Sequence, residues 1–418
     1  MSRKRKKKKG KSSATSRRPD DFSLASLGLR SPLSAPERPG WFDRSIKAVL
    51  DQAKTLLEAR GPRELEQLTS ELLGAQVYDA VHNVRRGLWF DWWFEELVEA
   101  AAAKALSESS RPDGDWESTW RLLHGLTSIG SPALRSVAQT QLGRLRTVIA
   151  SRPHPDWVEH LARIAATGDV WRLRDVYGTR FGLIAGFSYP DGLDPSVFLF
   201  DIDACGRIQL ASAGVFDDVD EAAAAWRELV GEAAGAAQPR PVENVEQLVC
   251  LTHFDLGDDH VVGAESQSRA DNWFRALRRV HDLSDALRDR GTPLPAPKSL
   301  YRDLDTEPLV EEFTTWYEHK HGAEPDAEAV ETLAGEWMEG TLPETVRSVS
   351  PHRVEYLLTL ANGWIPDHPL TIATKALFPD WVLWQAEHAG LPEHLVEHVV
   401  AVANGSPRHA TDCAGQIL

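Results

Sequence analysis

One stretch constrains the fold more than any other: residues 181–230, FGLIAGFSYPDGLDPSVFLFDIDACGRIQLASAGVFDDVDEAAAAWRELV, the only place where strand signals follow one another. The segment RFGLIAGFSY reads as a buried strand, and YPDGLDP is a loop made of turn-forming residues. SVFLFDID is the clearest strand in the chain, and ACGR turns it into a third, RIQLASAGVF. DDVDEAAAAWRELV then reads as a helix with acids in its first turn, where the helix dipole favours them. Three strands joined by short turns and followed by a helix predict a small α+β unit, an antiparallel three-stranded sheet with a helix on one face. Everything outside it carries helical periodicity, so the expected fold class is mainly α with this small central α+β domain.

The expected division is a disordered basic tail (1–40), a helical bundle or irregular solenoid (41–175), the α+β domain (176–290), a Pro-rich linker (291–299) and a C-terminal helical domain (300–418). The linker reads GTPLPAPKS. Asp-Trp pairs at Asp91-Trp92, Asp115-Trp116, Asp156-Trp157 and Asp380-Trp381 stand at or near helix starts. In the last three, a nearby Gly or Pro makes the aspartate a natural N-cap.

Charge is distributed unevenly. Residues 1–18 hold ten Lys or Arg and no acid, leaving 36 basic against 62 acidic side chains in the rest, a formal −26. Such a body repels phosphate backbones, so nucleic acid is expected as a partner only through the tail, by Arg3, Lys4, Arg5, Lys6, Lys7, Lys8, Lys9 and Lys11. A plainer role for this run is solubilisation. The 15 tryptophans point to heavily packed helices, or alternatively to Trp-rich helical surfaces that take a protein partner. Three widely spaced cysteines form neither a zinc pattern nor a disulfide framework, which fits a reducing cytoplasm. No signal peptide or membrane span is read, so a soluble cytoplasmic protein without membrane contact is expected.

Candidate chemistry lies in three places. Asp201-Ile202-Asp203, at the end of an apolar strand, is similar to the opening motif of haloacid-dehalogenase-type phosphatases. There the first aspartate is the nucleophile and the second the acid/base, followed by Gly-Thr; here Ala204-Cys205 follows, and a polar hairpin turn is the plainer account of Asp203. His253, Asp255, Asp258, Asp259 and His260 gather within eight residues and are candidate metal ligands, or a solvated loop. His394 and His398, with Glu397, have the inverted metalloprotease spacing on one helix face, and equally suit a surface face. No Gly-rich phosphate loop, nucleophile elbow or CxxC is present, and no cofactor is expected.

Towards the C-terminus, Ser350-Pro351, Arg353-Val354, Trp364, Trp381-Val382 and Gly390-Leu391-Pro392 follow the pattern of a small helical module. Residues 350–405 resemble the C-terminal module of uncharacterised actinobacterial proteins, a resemblance that implies helices and no activity. The leading functional expectation is a non-catalytic scaffold or interaction protein. The alternative is a metal-dependent hydrolase of phosphatase or nuclease type, centred on Asp201 and Asp203.

Overall fold

A computed structural model describes residues 37–408, except 85–86, 112–113, 150–151, 193, 207, 253–265 and 297–304. The sheet is larger than expected. Five strands lie in the order β4-β3-β2-β1-β5, every neighbouring pair antiparallel: β1 (Ala165–Arg174), β2 (Arg180–Ser188), β3 (Ser196–Asp203), β4 (Gln209–Phe216) and β5 (Arg240–Pro241). The three expected strands are β2, β3 and β4, and the count of three is corrected by the other two. β1 escapes a hydrophobic reading because it is half solvated and polar residues hold many of its positions. Its strand form comes from pairing with β2 along nearly its whole length. β5 is two residues long, and its Pro241 suits an edge, where no ladder N–H is required.

β2 and β3 are buried on both faces, which explains their nearly unbroken apolar sequence. Helix α6 (Val219–Val230) covers one face, with Trp226 packed among Leu173, Ile184, Val197 and Leu199. Asp218 caps it, accepting the N–H of Glu221 at 2.9 Å. Gly182 makes the indole fit, since a Cβ there would lie 3.0 Å from the Trp226 ring. Helix α8 (Trp273–Asp289) covers the other face, where Ala276, Val280, Leu283 and Leu287 share a core with Phe181, Leu183, Phe198 and Phe200. The sheet is therefore the middle layer of three, with helices on both faces.

Helices α1 (Trp41–Gln52), α2 (Pro62–Asn83), α3 (Phe90–Ser109), α4 (Trp116–Ile129) and α5 (Pro132–Ile149) form a second core, which also takes in Trp273 and Phe274 of α8. Short α7 (Gln267–Asp271) presses on α2 so closely that a Cβ on Gly74 would stand 2.3 Å from Asp271 Cα. A buried ionic knot joins this layer to the sheet. Glu66 of α2 bonds Arg279, faces Arg275 at 3.7 Å and accepts the Tyr189 hydroxyl at 3.2 Å. From Trp41 the chain is one compact unit.

Helices α9 (Glu307–His321), α10 (Ala327–Met338), α11 (Pro351–Asn362), α12 (Pro369–His388) and α13 (Glu393–Ala403) pack around Phe313, Trp337, Trp381 and Trp384. Most tryptophans are core residues: Trp41, Trp93, Trp116, Trp120, Trp226 and Trp273 are buried as well as the last three. The Asp-Trp pairs do not cap as expected. Asp115 precedes α4 without a side-chain cap bond, Asp156 is the first residue of a 3-10 turn, and Asp380 lies inside α12 beside His321 and Lys320. No described helix is long and apolar enough to cross a membrane.

Candidate functional site

β3 carries both candidate catalytic aspartates, and its pairing with β2 decides what they do. Asp201 lies opposite Gly182, and Arg180 lies opposite Asp203, so Arg180 reaches one step along the ladder to Asp201. The contact is a two-pronged fork: Arg180 Nε donates to Oδ1 at 2.8 Å and a terminal nitrogen donates to Oδ2 at 2.6 Å. Trp226 Nε1 adds a third donor to Oδ1 at 3.1 Å. Asp201 has no exposed surface and Arg180 is 4% exposed. This carboxylate is enclosed by donors that the fold itself supplies, with no open side for a substrate.

Asp203 is engaged differently. Its Oδ1 accepts the Cys205 N–H at 2.8 Å, the local turn bond that the Ala-Cys-Gly sequence allows. Its Oδ2 lies 3.1 Å from Nδ1 of His352, at the start of α11, about 150 residues further along the chain. Cys205 Sγ lies 3.2 Å from the Ser350 hydroxyl, which also caps α11 by accepting the Arg353 N–H at 3.2 Å. Gly206 brings the hairpin tip onto α11, since a Cβ there would lie 2.6 Å from the Tyr356 ring. The β3–β4 hairpin and the first turn of α11 thus form a buried clasp.

Beneath the clasp Arg353 is nearly solvent-free. It donates to the Ser348 carbonyl at 2.8 Å and the Thr341 hydroxyl at 2.9 Å, and lies 4.2 Å from the Trp337 ring centre. Burial pushes its guanidinium down to about 9, with Cys205 pulling the other way. In the β1–β2 turn, Asp175 accepts the N–H groups of Thr179 and Arg180 at 2.8 and 3.0 Å, and burial raises its carboxyl to about 6.

Donor atoms of Asp203, Cys205 and His352 all lie within 4.8 Å of one another, the one such grouping among the described residues. Carboxylate, thiolate and imidazole together form a zinc-type donor set. The adjacent guanidinium of Arg353 opposes a cation there.

His253, Asp255, Asp258, Asp259 and His260 lie outside the described residues, as do Arg3, Lys4, Arg5, Lys6, Lys7, Lys8, Lys9 and Lys11. His394 and His398 sit on α13, His394 exposed and His398 partly buried, and no third described ligand joins them. Sequence reasoning missed His352. The Ser350-Pro351 start of α11 was visible, but its partner hairpin is remote along the chain.

An open apolar region lies elsewhere in the C-terminal layer. Leu357, Leu358, Ala361, Trp364 and Phe378 line a narrow groove between α10, α11 and α12, with Glu336 and Lys375 also on its wall. Near it Leu360 at the end of α11, Ile365 on the α11–α12 connection and Ile372 in the first turn of α12 are exposed by 39%, 71% and 57%. Comparison with protein-family models, with curated proteins and with solved structures found no match.

Proposed function

We propose that the protein is a non-catalytic interaction protein that takes a protein partner on the α11–α12 surface. The exposure of Ile365 and Ile372 beside a groove walled by Trp364 carries this reading. Apolar side chains this exposed, on a short connection and on the helix turns that flank it next to a groove, mark contact surfaces more often than isolated exposed ones do. Trp364 is half-buried, so its ring offers contact area already held in place. The expected partner segment is amphipathic with a basic flank. Glu336 has its carboxyl pushed upward by burial and by nearby Glu339, and a cation placed beside it would relieve that cost. The formally −26 body favours the same sign of partner.

The test is affinity capture from the native source with the full chain and with an Ile365→Glu/Ile372→Glu variant of equal melting temperature. The proposal expects specific bound proteins that the variant loses. An identical set from both proteins would refute it.

A second reading, a metal-dependent hydrolase, is favoured by the grouping of Asp203, Cys205 and His352. Its demand on Asp201 as nucleophile conflicts with the Arg180 and Trp226 bonds. Stoichiometric metal together with phosphatase or nuclease activity that Asp203→Ala abolishes would support it over the interaction reading. In the same account the basic tail touches nucleic acid.

A further inference from the structure

A second cavity lies at the β1 edge of the sheet. It is a cleft of about 460 Å³ between β1, the 234–238 segment and β5, within the range of small-molecule sites. Three arginines, Arg172, Arg174 and Arg240, are among its lining residues; Glu243 also lines it, and Glu344 is paired with Arg172 at 2.7 Å.

Their arrangement follows from strand geometry. Arg172 and Arg174 are two apart on β1 and so share a face. Arg240 of β5 is the cross-strand partner of Arg172. Like charges directly opposite each other on neighbouring strands destabilise a sheet; Glu344 offsets Arg172, and an anion beside Arg174 and Arg240 would offset the remaining charge. Two of the three side chains are held before any ligand arrives. Arg172 donates to Glu344 at 2.7 Å, with its guanidinium 4.2 Å from the Phe181 ring centre. Arg174 donates to the Gly178 carbonyl, the Glu344 carbonyl and the Ser348 hydroxyl at 3.1, 3.2 and 3.1 Å. Arg240 is exposed and adjustable. Val176, Ala236 and Ala237 supply an apolar wall beside the charges.

The geometry points to a binding site for a small organic anion, whose carboxylate or phosphate groups are held by Arg172, Arg174 and Arg240 and whose carbon skeleton lies against Val176 and Ala236. Guanidinium forks match either oxyanion in two-point contacts. The site is independent of the α11–α12 surface. Its three arginines outnumber Glu243 and Glu344, so the cleft is a locally positive place on a strongly acidic body and favours an anion over the surface around it.

Calorimetric titration of the full chain with citrate and with pyrophosphate, at ionic strength held constant with sodium chloride, tests the site and separates carboxylate from phosphate. Saturable binding of at least one is expected, weakened about tenfold or more by Arg240→Gln or Arg174→Gln, as for loss of one charged hydrogen-bonding partner. Without ligand, Arg240→Gln should melt no lower than the parent, because the opposed cation is gone. Anion binding by the basic tail would survive both substitutions. Failure of both anions to bind saturably, or affinity unchanged in both variants, overturns the proposal.

Discussion

Replacing Asp201 with alanine separates a structural carboxylate from a catalytic one. In the fold Asp201 accepts three hydrogen bonds, two from Arg180 and one from Trp226, at 2.6 to 3.1 Å in the absence of solvent. Removing it strands a guanidinium that is 4% exposed between two strands of a sheet covered on both faces. Breaking a buried pair from one side costs about 3–5 kcal/mol, chiefly because the remaining charge keeps its desolvation penalty without a partner. In a chain of this size that is a melting temperature several degrees lower. The companion variant, Asp201→Leu with Arg180→Met, removes both charges and should recover most of the loss, since apolar replacement of a whole buried pair is often close to neutral. Thermal unfolding of the parent, Asp201→Leu, Arg180→Met and the double variant closes the cycle and gives the coupling directly. A catalytic carboxylate behaves in the opposite way, because active-site groups are held at a cost to stability and their removal commonly stabilises. An Asp201→Ala protein that melts at or above the parent temperature would refute the structural assignment.

Other outcomes follow from the same contacts. Gly74→Ala should destabilise by about 1–3 kcal/mol in chemical denaturation, because its Cβ would overlap the Asp271 backbone at 2.3 Å and force α2 and α7 apart. Asp175 is held at about 6, above its ordinary 3.8, so the folded state binds its proton more tightly than the unfolded state. Its contribution to stability is therefore greatest below pH 4 and declines until about pH 6. Stability of Asp175→Asn relative to the parent should rise by roughly 2–3 kcal/mol across that window, measured at pH 4 and pH 7. Deleting residues 1–18 should abolish low-salt nucleic-acid binding by fluorescence anisotropy while leaving melting unchanged, since ten of the cations lie there.

How much of this was legible in the sequence depended on whether a residue's environment is local. β2 and β3 announced themselves because burial on both faces demands continuous apolar runs, and β4 because it follows β3 across a short turn. β1 did not, because a half-solvated strand with many polar positions follows its neighbour more than its own propensity. Asp218 was readable as part of a helix start because capping is a short-range bond. Asp203 was half readable: its bond to the Cys205 N–H is local, whereas its contact with His352 needs the tertiary fold. Arg180, the residue that accounts for Asp201, stood in plain view, but only strand register shows that it points along the ladder to that carboxylate. The tryptophans followed the packing reading over most of their number, while Trp89 is exposed and Trp364 half-buried on a groove wall.

The aspartates of β3 have a joining role in the fold: Asp201 binds Arg180 and Trp226, and Asp203 binds the Cys205 N–H and faces His352. The most direct test of that role is metal analysis of the purified full chain, combined with melting of the parent, with and without chelator, and of Asp203→Asn. The clasp predicts less than stoichiometric metal, a melting temperature indifferent to chelator, and a lower one for Asp203→Asn through its weakened contact with His352. One equivalent of bound metal, with chelator lowering the parent's melting temperature to that of Asp203→Asn, would contradict it and make Asp203, Cys205 and His352 a metal centre.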